Sequence, residues 1–410
     1  WSGAALDDAQ QRAVACSATR RLAIVTGGPG TGKTTVAARI AAAHAHILSV
    51  GGGRAALRLL APTGKAASRL SESFAAAAAS LPEEHGAALR GCLATTVHAA
   101  LYSRGSDGLD RATMVILDEA SMVDLALMRR LVDGVPADAA LVVLGDRHQL
   151  ASVEAGTVLA DMTEPASSIS DCIIRLERSH RFDGESAVGQ LARATLDGDA
   201  DAALDMLGAG AGVPDAPGVR ILDCRSDREI ARATVSLFRA RARDVAILCA
   251  HRHGATGTLE INRLCAEASG ARGSDPLSAV HWDGRPIIVT ENDRALGLMN
   301  GDVGLMRSAA DGQLEAVFRG RDAAVPASIL PASESAYALT IHKSQGSEFD
   351  HVAVVLPSSP SPILSRELIF TGITRARQSV TVIGPPDRVR EAIGRRVARA
   401  SGLSDRMRIG

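Results

Sequence analysis

Short, wholly apolar runs recur along this chain, and each gives way abruptly to glycine or acid. Leu22–Thr26 (LAIVT), Met114–Leu117 (MVIL) and Leu141–Leu144 (LVVL) are the clearest. A run that is apolar at every position, rather than at alternate ones, is buried on both faces, as a strand inside a parallel sheet is. Val36–Ala43 follows the first run as a good helix former. Residues 1–160 thus alternate strand and helix and predict an α/β domain: a parallel sheet with helices on both faces. Asp161–Asp171 reads as a polar connector ahead of IIRLERSHRF. A second α/β domain is predicted in two pieces, 161–280 and 326–410. The first piece carries Val245–Cys249 (VAILC), and the second the segments after Tyr337. Between them, 281–325 shows short β-rich runs broken by Asn300-Gly301 and Asp311-Gly312, which are hairpin turn signals. That pattern predicts a small β-barrel insertion, with a plain hairpin as the alternative. Gly208–Gly218 (GAGAGVPDAPG) reads as a loop.

Composition narrows the class. At 410 residues the chain has room for two or three domains, each able to bury a core. A formal net charge of −1 argues against a chain that coats nucleic acid indiscriminately, though not against one with a local basic groove. The six cysteines (Cys16, Cys92, Cys172, Cys224, Cys249 and Cys265) form no C-x-x-C pair, so buried thiols in a reducing cytoplasm are expected. No apolar run reaches membrane-spanning length; the stretch at Ala75–Ala79 is short and flanked by polar residues.

Lysine placement is the sharper signal. Only three of the 45 Lys and Arg residues are lysine: Lys33, Lys65 and Lys343. The first lies in Gly27-x4-Gly32-Lys33-Thr34, between a predicted strand and a predicted helix, which is the setting of a phosphate-binding loop. The loop of Gly27, Gly28, Pro29, Gly30, Thr31 and Gly32 would curl its backbone N–H groups, which all but the proline carry, around phosphate oxygens at a helix N-terminus. Lys33 would reach the β- and γ-phosphates of ATP, with Thr34 on Mg2+ and Thr35 beside it. Met114–Leu117 then delivers two acids, which suits Asp118 to the metal and Glu119 to polarising the attacking water. An acidic strand cap is the plainer alternative. Gln149, in the GDRHQL loop after Leu141–Leu144, can bond a terminal phosphate and a water without charge repulsion.

The ordered segments LDDAQQRAV, GGPGTGKTT, LLAPTGKAASRL, TTVHAAL, LDEASMVDL, LGDRHQLASVEAGTVLADM, LERSHRF, LTIHKSQGSEFDHVAVVLP and LIFTGITRARQSV together resemble a superfamily 1 DNA helicase. Within that group they are most similar to the RecD family, the alpha subunits of exodeoxyribonuclease V, over nearly the whole chain. The resemblance implies two RecA-like motor domains with an SH3-like insertion in the second, and an additional N-terminal family domain that is expected to be missing from this sequence. It implies an ATP- and Mg2+-dependent helicase moving 5′ to 3′ on single-stranded DNA. Its partners would be duplex-end DNA and RecB-like and RecC-like subunits, in double-strand break repair by homologous recombination in the bacterial cytoplasm, at the nucleoid.

The resemblance also assigns residues. Gln10 corresponds to an adenine contact, Gly346 and Glu348 to nucleotide contacts (Glu348 at the ribose), and Arg181 and Arg375 to the arginines that reach the γ-phosphate. Thr63, Lys65, Thr96, His98, Thr340, His342 and Lys343 fall in motifs that face single-stranded DNA. Surface ion pairs for the arginines, and packing or capping roles for the histidines, remain the alternatives. Aromatics make up 2% of the chain, and Phe349 is the only ring inside a motif expected to face DNA. Backbone tracking with little sequence preference is therefore expected over base stacking. No nuclease centre is visible, since its catalytic lysine would have to be one of the three already assigned. A stand-alone RecD-like or conjugative helicase is the alternative within the class, and a nucleotide-gated DNA-binding scaffold the alternative outside it.

Overall fold

The computed structural model describes residues 6–103, 108–151, 157–164, 167–178, 186–209, 218–241, 244–271, 281–293, 295–318, 321, 323–397 and 402–408. The chain forms two compact units, residues 1–183 with 398–410, and residues 184–397.

Unit 1 is built on β1 (Leu22–Gly27), β2 (Leu57–Ala61), β3 (Ala94–Thr96), β4 (Met114–Leu117), β5 (Ala140–Gly145) and β6 (Ile173–Leu176). They form one parallel sheet in the order β3-β2-β4-β5-β1-β6. Alternate residues of each strand feed separate cores, because successive side chains point to opposite faces. Val25, Ile116 and Val142 pack with helices α1 (Asp8–Thr19), α2 (Lys33–Val50) and α3 (Gly64–Ala79). Ile24, Val115 and Val143 pack on the other face with Val97, Leu127 and Leu159 of three shorter helices. The uniformly apolar runs are thus explained by a sheet covered on both sides.

Unit 2 has its own parallel sheet, of β7 (Gly218–Leu222), β8 (Ala246–Cys249), β14 (Ala338–Thr340), β15 (Phe349–Val355) and β16 (Ala376–Ile383), in the order β14-β8-β15-β16-β7. Between β8 and β14 the chain makes β9 (Pro286–Val289), β10 (Val303–Ser308), β11 (Leu314–Phe318), β12 (Val325–Pro326) and β13 (Ser333–Ser335). These are antiparallel, in the order β12-β11-β10-β9-β13, around Ile287, Val289, Met306, Ala316 and Phe318. Asp311-Gly312 turns β10 into β11, with Gly312 at φ 81°.

Several expectations change. The chain divides after Asp183 rather than near 160, because β6 pairs with β1 and completes the first sheet. The segment 398–410 belongs to unit 1: its helix Leu403–Arg408 packs on the helix Val158–Met162, and Ser168 N–H donates to the Met407 carbonyl at 2.8 Å. The supposed connector 161–171 contains the end of that helix and a 3-10 turn at Ser170–Cys172. Gly208 lies in a helix, Ala200–Ala209, and Gly218 opens β7, while the rest of that expected loop, 210–217, is outside the described residues. The insertion is a five-stranded sheet reaching Ser335, beyond the expected limit at 325, and no ladder joins β12 to β13 among the described residues. Cys224, Cys249 and Cys265 are buried; Cys16, Cys92 and Cys172 are only half-buried.

Candidate nucleotide and single-strand sites

The carboxyl ends of β1, β5 and β4 lie side by side, and each delivers one part of a phosphate site. After β1 the chain turns through Gly30 (φ 76°) and Gly32 (φ 80°), a left-handed backbone that side chains disfavour. A Cβ at Gly27 would meet the Thr31 hydroxyl at 2.6 Å, so the loop closes only around a glycine. Gly32 begins α2 without a side-chain cap, which suits the first-turn N–H groups to an anion. Lys33 Nζ donates to the Gly27 and Gly28 carbonyls at 2.7 and 3.0 Å, curled over the loop. Thr34 and Thr35 follow in the first turn of α2.

At the end of β4, the Asp118 carboxyl is raised from 3.8 to about 6, chiefly by burial and then by the neighbouring Glu119 carboxylate. The Lys33 charge, the Glu119 N–H at 2.8 Å from Oδ1, and Arg69 pull it back. Glu119 itself sits at φ 52°, ψ 39°, the only non-glycine residue with positive φ among the described residues. That conformation costs about 1–2 kcal/mol for a side chain with a Cβ, and such strain collects at functional sites. After β5, Gln149 is buried, and its Oε1 has no hydrogen-bond partner among the described residues.

Asp146 belongs to this cluster and was missed. It is 1% exposed, its Oδ1 accepts the His148 N–H at 2.9 Å, and its Oδ2 has no hydrogen-bond partner among the described residues. Burial raises its pKa, and the Lys33 charge opposes the rise. The signal was available, since Asp146 is the first acid after an apolar strand. Arg69 was also missed; nothing in its own segment announces that its charge reaches Asp118.

The site fits ATP with Mg2+. Oxygens on Asp146 and Gln149 with no hydrogen-bond partner among the described residues, a desolvated Asp118 and a lysine turned onto its own loop's carbonyls are groups that a cation and a phosphate chain would satisfy. Gln10 is held against the loop: its Nε2 donates to the Thr31 carbonyl at 3.3 Å, and its Oε1 accepts the Asp7 N–H at 3.3 Å.

Other assigned residues have structural work of their own. Thr63 and Thr96 are helix N-caps, accepting the N–H of Ala66 at 3.2 Å and of Ala99 at 3.1 Å. Thr63 follows β2 and Thr96 ends β3, and the two strands are adjacent, with Ala61 paired to Thr96. Lys65 lies in the first turn of α3, and His98 is exposed on the helix Val97–Tyr102.

In unit 2, Thr340 ends β14, and its hydroxyl accepts the Lys343 N–H at 3.1 Å across the 3-10 turn that contains His342. Lys343 Nζ lies 3.6 Å from Glu334. Gly346 takes φ 70°, and Glu348 is ion-paired with Arg377 at 3.2 Å. Phe349 lines a cavity of about 500 Å³ with Phe238 and Tyr337. Arg375 is buried within its own unit, donating to the carbonyls of Thr371 at 3.1 Å and Ser347 at 3.3 Å. Arg181 lies outside the described residues, as do residues 152–156 of the LASVEAG segment.

An AAA domain family model matches residues 5–215, and a UvrD-like helicase C-terminal domain model matches 335–383. The RecBCD enzyme subunit RecD of Mycolicibacterium smegmatis is 40% identical, over 97% of this chain and 75% of the relative. The chain belongs to the RecD family. The RecBCD enzyme subunit RecD of Haemophilus influenzae is 32% identical over 97% of this chain and 72% of its own length. The ATP-dependent RecD2 DNA helicase of Deinococcus radiodurans is 31% identical over 95% of this chain and 51% of its own. In fold, the chain resembles a Bacteroides Pif1 helicase solved with ADP-AlF3 and single-stranded DNA, at TM-score 0.54 and 15% identity, over 92% of both chains. That likeness establishes the α/β helicase fold with two RecA-like domains. As a RecD-family member, the chain is an ATP-dependent DNA helicase. No helix among the described residues is long and apolar enough to cross a membrane.

Proposed function

We propose that this RecD-family chain is the helicase subunit of a RecBCD-type exodeoxyribonuclease V, moving 5′ to 3′ on single-stranded DNA during double-strand break repair in the bacterial cytoplasm. RecB-like and RecC-like chains would be its partners and DNA ends its substrate, with cutting left to a partner. The observation that carries the chemistry is the strained Glu119 beside a desolvated Asp118, with the buried Gln149 in the loop that follows the neighbouring strand β5.

Each group then has a role. Backbone N–H groups of Gly27, Gly28, Gly30, Thr31 and Gly32 and the Lys33 amine bind the phosphates, and Lys33 gives up its two carbonyl bonds to do so. Thr34 and Asp118 would hold Mg2+, which supplies charge neutralisation at the β- and γ-oxygens when bound. Glu119 accepts the proton of the attacking water, and Gln149 orients that water. Arg181 and Arg375 are assigned to the γ-phosphate and Gln10, Gly346 and Glu348 to the nucleoside on motif grounds. Thr63, Lys65, Thr96 and His98 in unit 1, and Thr340, His342 and Lys343 in unit 2, are assigned to single-stranded DNA on motif grounds. We read the five-stranded insertion as the SH3-like element of the second motor domain. The 40% identity with the Mycolicibacterium smegmatis RecBCD subunit, over 75% of its length, favours a complex subunit over a stand-alone helicase like the Deinococcus relative, which is 31% identical over 51% of its length.

Unwinding of duplexes bearing a 5′ or a 3′ single-stranded tail, alone and with RecB-like and RecC-like chains, tests the reading. The expectation is unwinding of 5′-tailed substrates, strongest in the complex. Glu119→Gln should bind Mg-ATP yet lose turnover by about 10²–10⁴-fold. Preference for 3′ tails refutes the polarity, and full unwinding by the isolated chain refutes the subunit role.

A further inference from the structure

Lys343, the only lysine of unit 2, shares its counter-ion with an arginine that no motif assigned to DNA. Glu334 of β13 accepts two N–H groups from Arg252, at 2.8 Å to Oε1 and 3.1 Å to Oε2, and Lys343 Nζ stands 3.6 Å from Oε2. Both cations come from the carboxyl ends of neighbouring strands: Arg252 follows β8, Lys343 follows β14, and Cys249 pairs with Thr340. Each is fixed at its backbone. The Arg252 carbonyl accepts the Leu259 N–H at 3.2 Å at the start of a helix, and the Lys343 N–H is tied to Thr340. The side chains are 38% and 35% exposed, against 23% for Glu334, so solvent reaches the cluster.

A guanidinium fork that meets a carboxylate with two parallel bonds would meet a phosphate in the same way. Two fixed cations converging on one carboxylate from a separate sheet therefore form a ready phosphate cradle with a substitute anion in it. The Arg252 hydrogen bonds hold the Glu334 carboxyl below its ordinary range, so the substitute stays charged at neutral pH.

We propose that Glu334 stands where a backbone phosphate of single-stranded DNA binds, that Arg252 is a second phosphate ligand beside Lys343, and that the entering strand displaces Glu334. The inference rests on the reading of Lys343 as a DNA contact. A partly exposed ion pair is held weakly, so a polyanion can compete with it. The inserted sheet thereby acts as a brake on strand entry.

The test is titration of a mixed-sequence single-stranded oligonucleotide by anisotropy, at several salt concentrations, with melting temperatures taken on the same samples. Glu334→Gln should tighten binding roughly two- to fivefold, the range that a partly exposed pair commands. Arg252→Gln and Lys343→Gln should each weaken binding and make the slope of log K against log salt shallower by roughly 0.7. Unchanged or weaker binding by Glu334→Gln, with a lowered melting temperature, would make Glu334 a mere tie between the inserted sheet and its neighbours and overturn the proposal. A shallower slope for Lys343→Gln but not for Arg252→Gln removes Arg252 alone. No change of slope in either variant refutes Lys343 as a DNA contact, and this inference with it. If Glu334→Gln does not fold, Glu334→Asp, which keeps the charge but shortens the reach, is judged by the same tightening.

Discussion

Asp118 is held in a place that suits its function and not its stability, and replacing it should show both. With its pKa raised from 3.8 to about 6, the ionised carboxylate is disfavoured in the folded protein. At 1.36 kcal/mol per pH unit that rise is worth about 3 kcal/mol, and about 1–3 kcal/mol after allowance for solvent beside the site. Asp118→Asn keeps the shape, and its side-chain oxygen can still accept the Glu119 N–H. The nucleotide-free variant should therefore be more stable than the parent at pH 7.5. For a unit of this size the gain amounts to roughly 2–4 °C per kcal/mol in melting temperature.

The pH dependence has a definite sign. A carboxyl whose folded pKa is raised takes up its proton earlier in the folded state, so the parent recovers stability as pH falls from about 6 toward 3.8. The advantage of Asn should be full above pH 6, shrink below it and be nearly gone at pH 4. Mg-ATP should raise the parent's melting temperature much more than the variant's. Thermal melts across this pH range, with and without Mg-ATP, decide the matter. A variant that is less stable at pH 7.5, or whose advantage persists unchanged at pH 4, would refute the argument.

Glu119→Gly should leave the nucleotide-free melting temperature unchanged or higher, since glycine relieves about 1 kcal/mol of left-handed strain, while ATP turnover disappears; a marked fall in stability would make the side chain structural. Thr96→Ala should lose about 1 kcal/mol of helix capping, and Thr96→Ser should restore it. Single-strand affinity measured on both then shows whether the hydroxyl also meets DNA, since a cap alone leaves affinity unchanged once both are folded. Arg375→Ala should lose about 10³-fold in turnover if the guanidinium serves the γ-phosphate. If it only satisfies the Thr371 and Ser347 carbonyls, turnover survives while stability falls by about 1–3 kcal/mol.

What was legible in the sequence follows from what is local. Leu22–Thr26 and Met114–Leu117 announced their strands because a sheet covered on both faces demands apolar residues at every position. The phosphate loop was legible because Gly30 and Gly32 need backbone angles that glycine adopts freely. Other features arise only when distant segments meet. The strain at Glu119 is invisible in the letters DEAS, and so is the Arg69 charge near Asp118. The pairing of Lys343 with Glu334 depends on β13 pairing with β9. The end of unit 1 was misplaced because β6 reads as one more apolar strand, and its partner β1 lies some 150 residues earlier. Thr63 and Thr96 show a different limit, since a hydroxyl can cap a helix with its lone pair and still offer its proton elsewhere.

The return of 403–408 to unit 1 has a consequence for how the protein is made. Leu403 joins the core behind Val143 and Leu159, and Arg408 pairs with Glu164 at 2.6 Å. A ribosome must therefore finish all of 184–397 before the first unit receives its last helix. Nascent chains fold domain by domain from the N-terminus, so unit 1 must wait with an apolar patch open at Val158–Met162 while unit 2 emerges. Stalled or clipped chains ending before Leu403 should be recognisable by that patch, as substrates for chaperones and proteases that leave the finished protein alone.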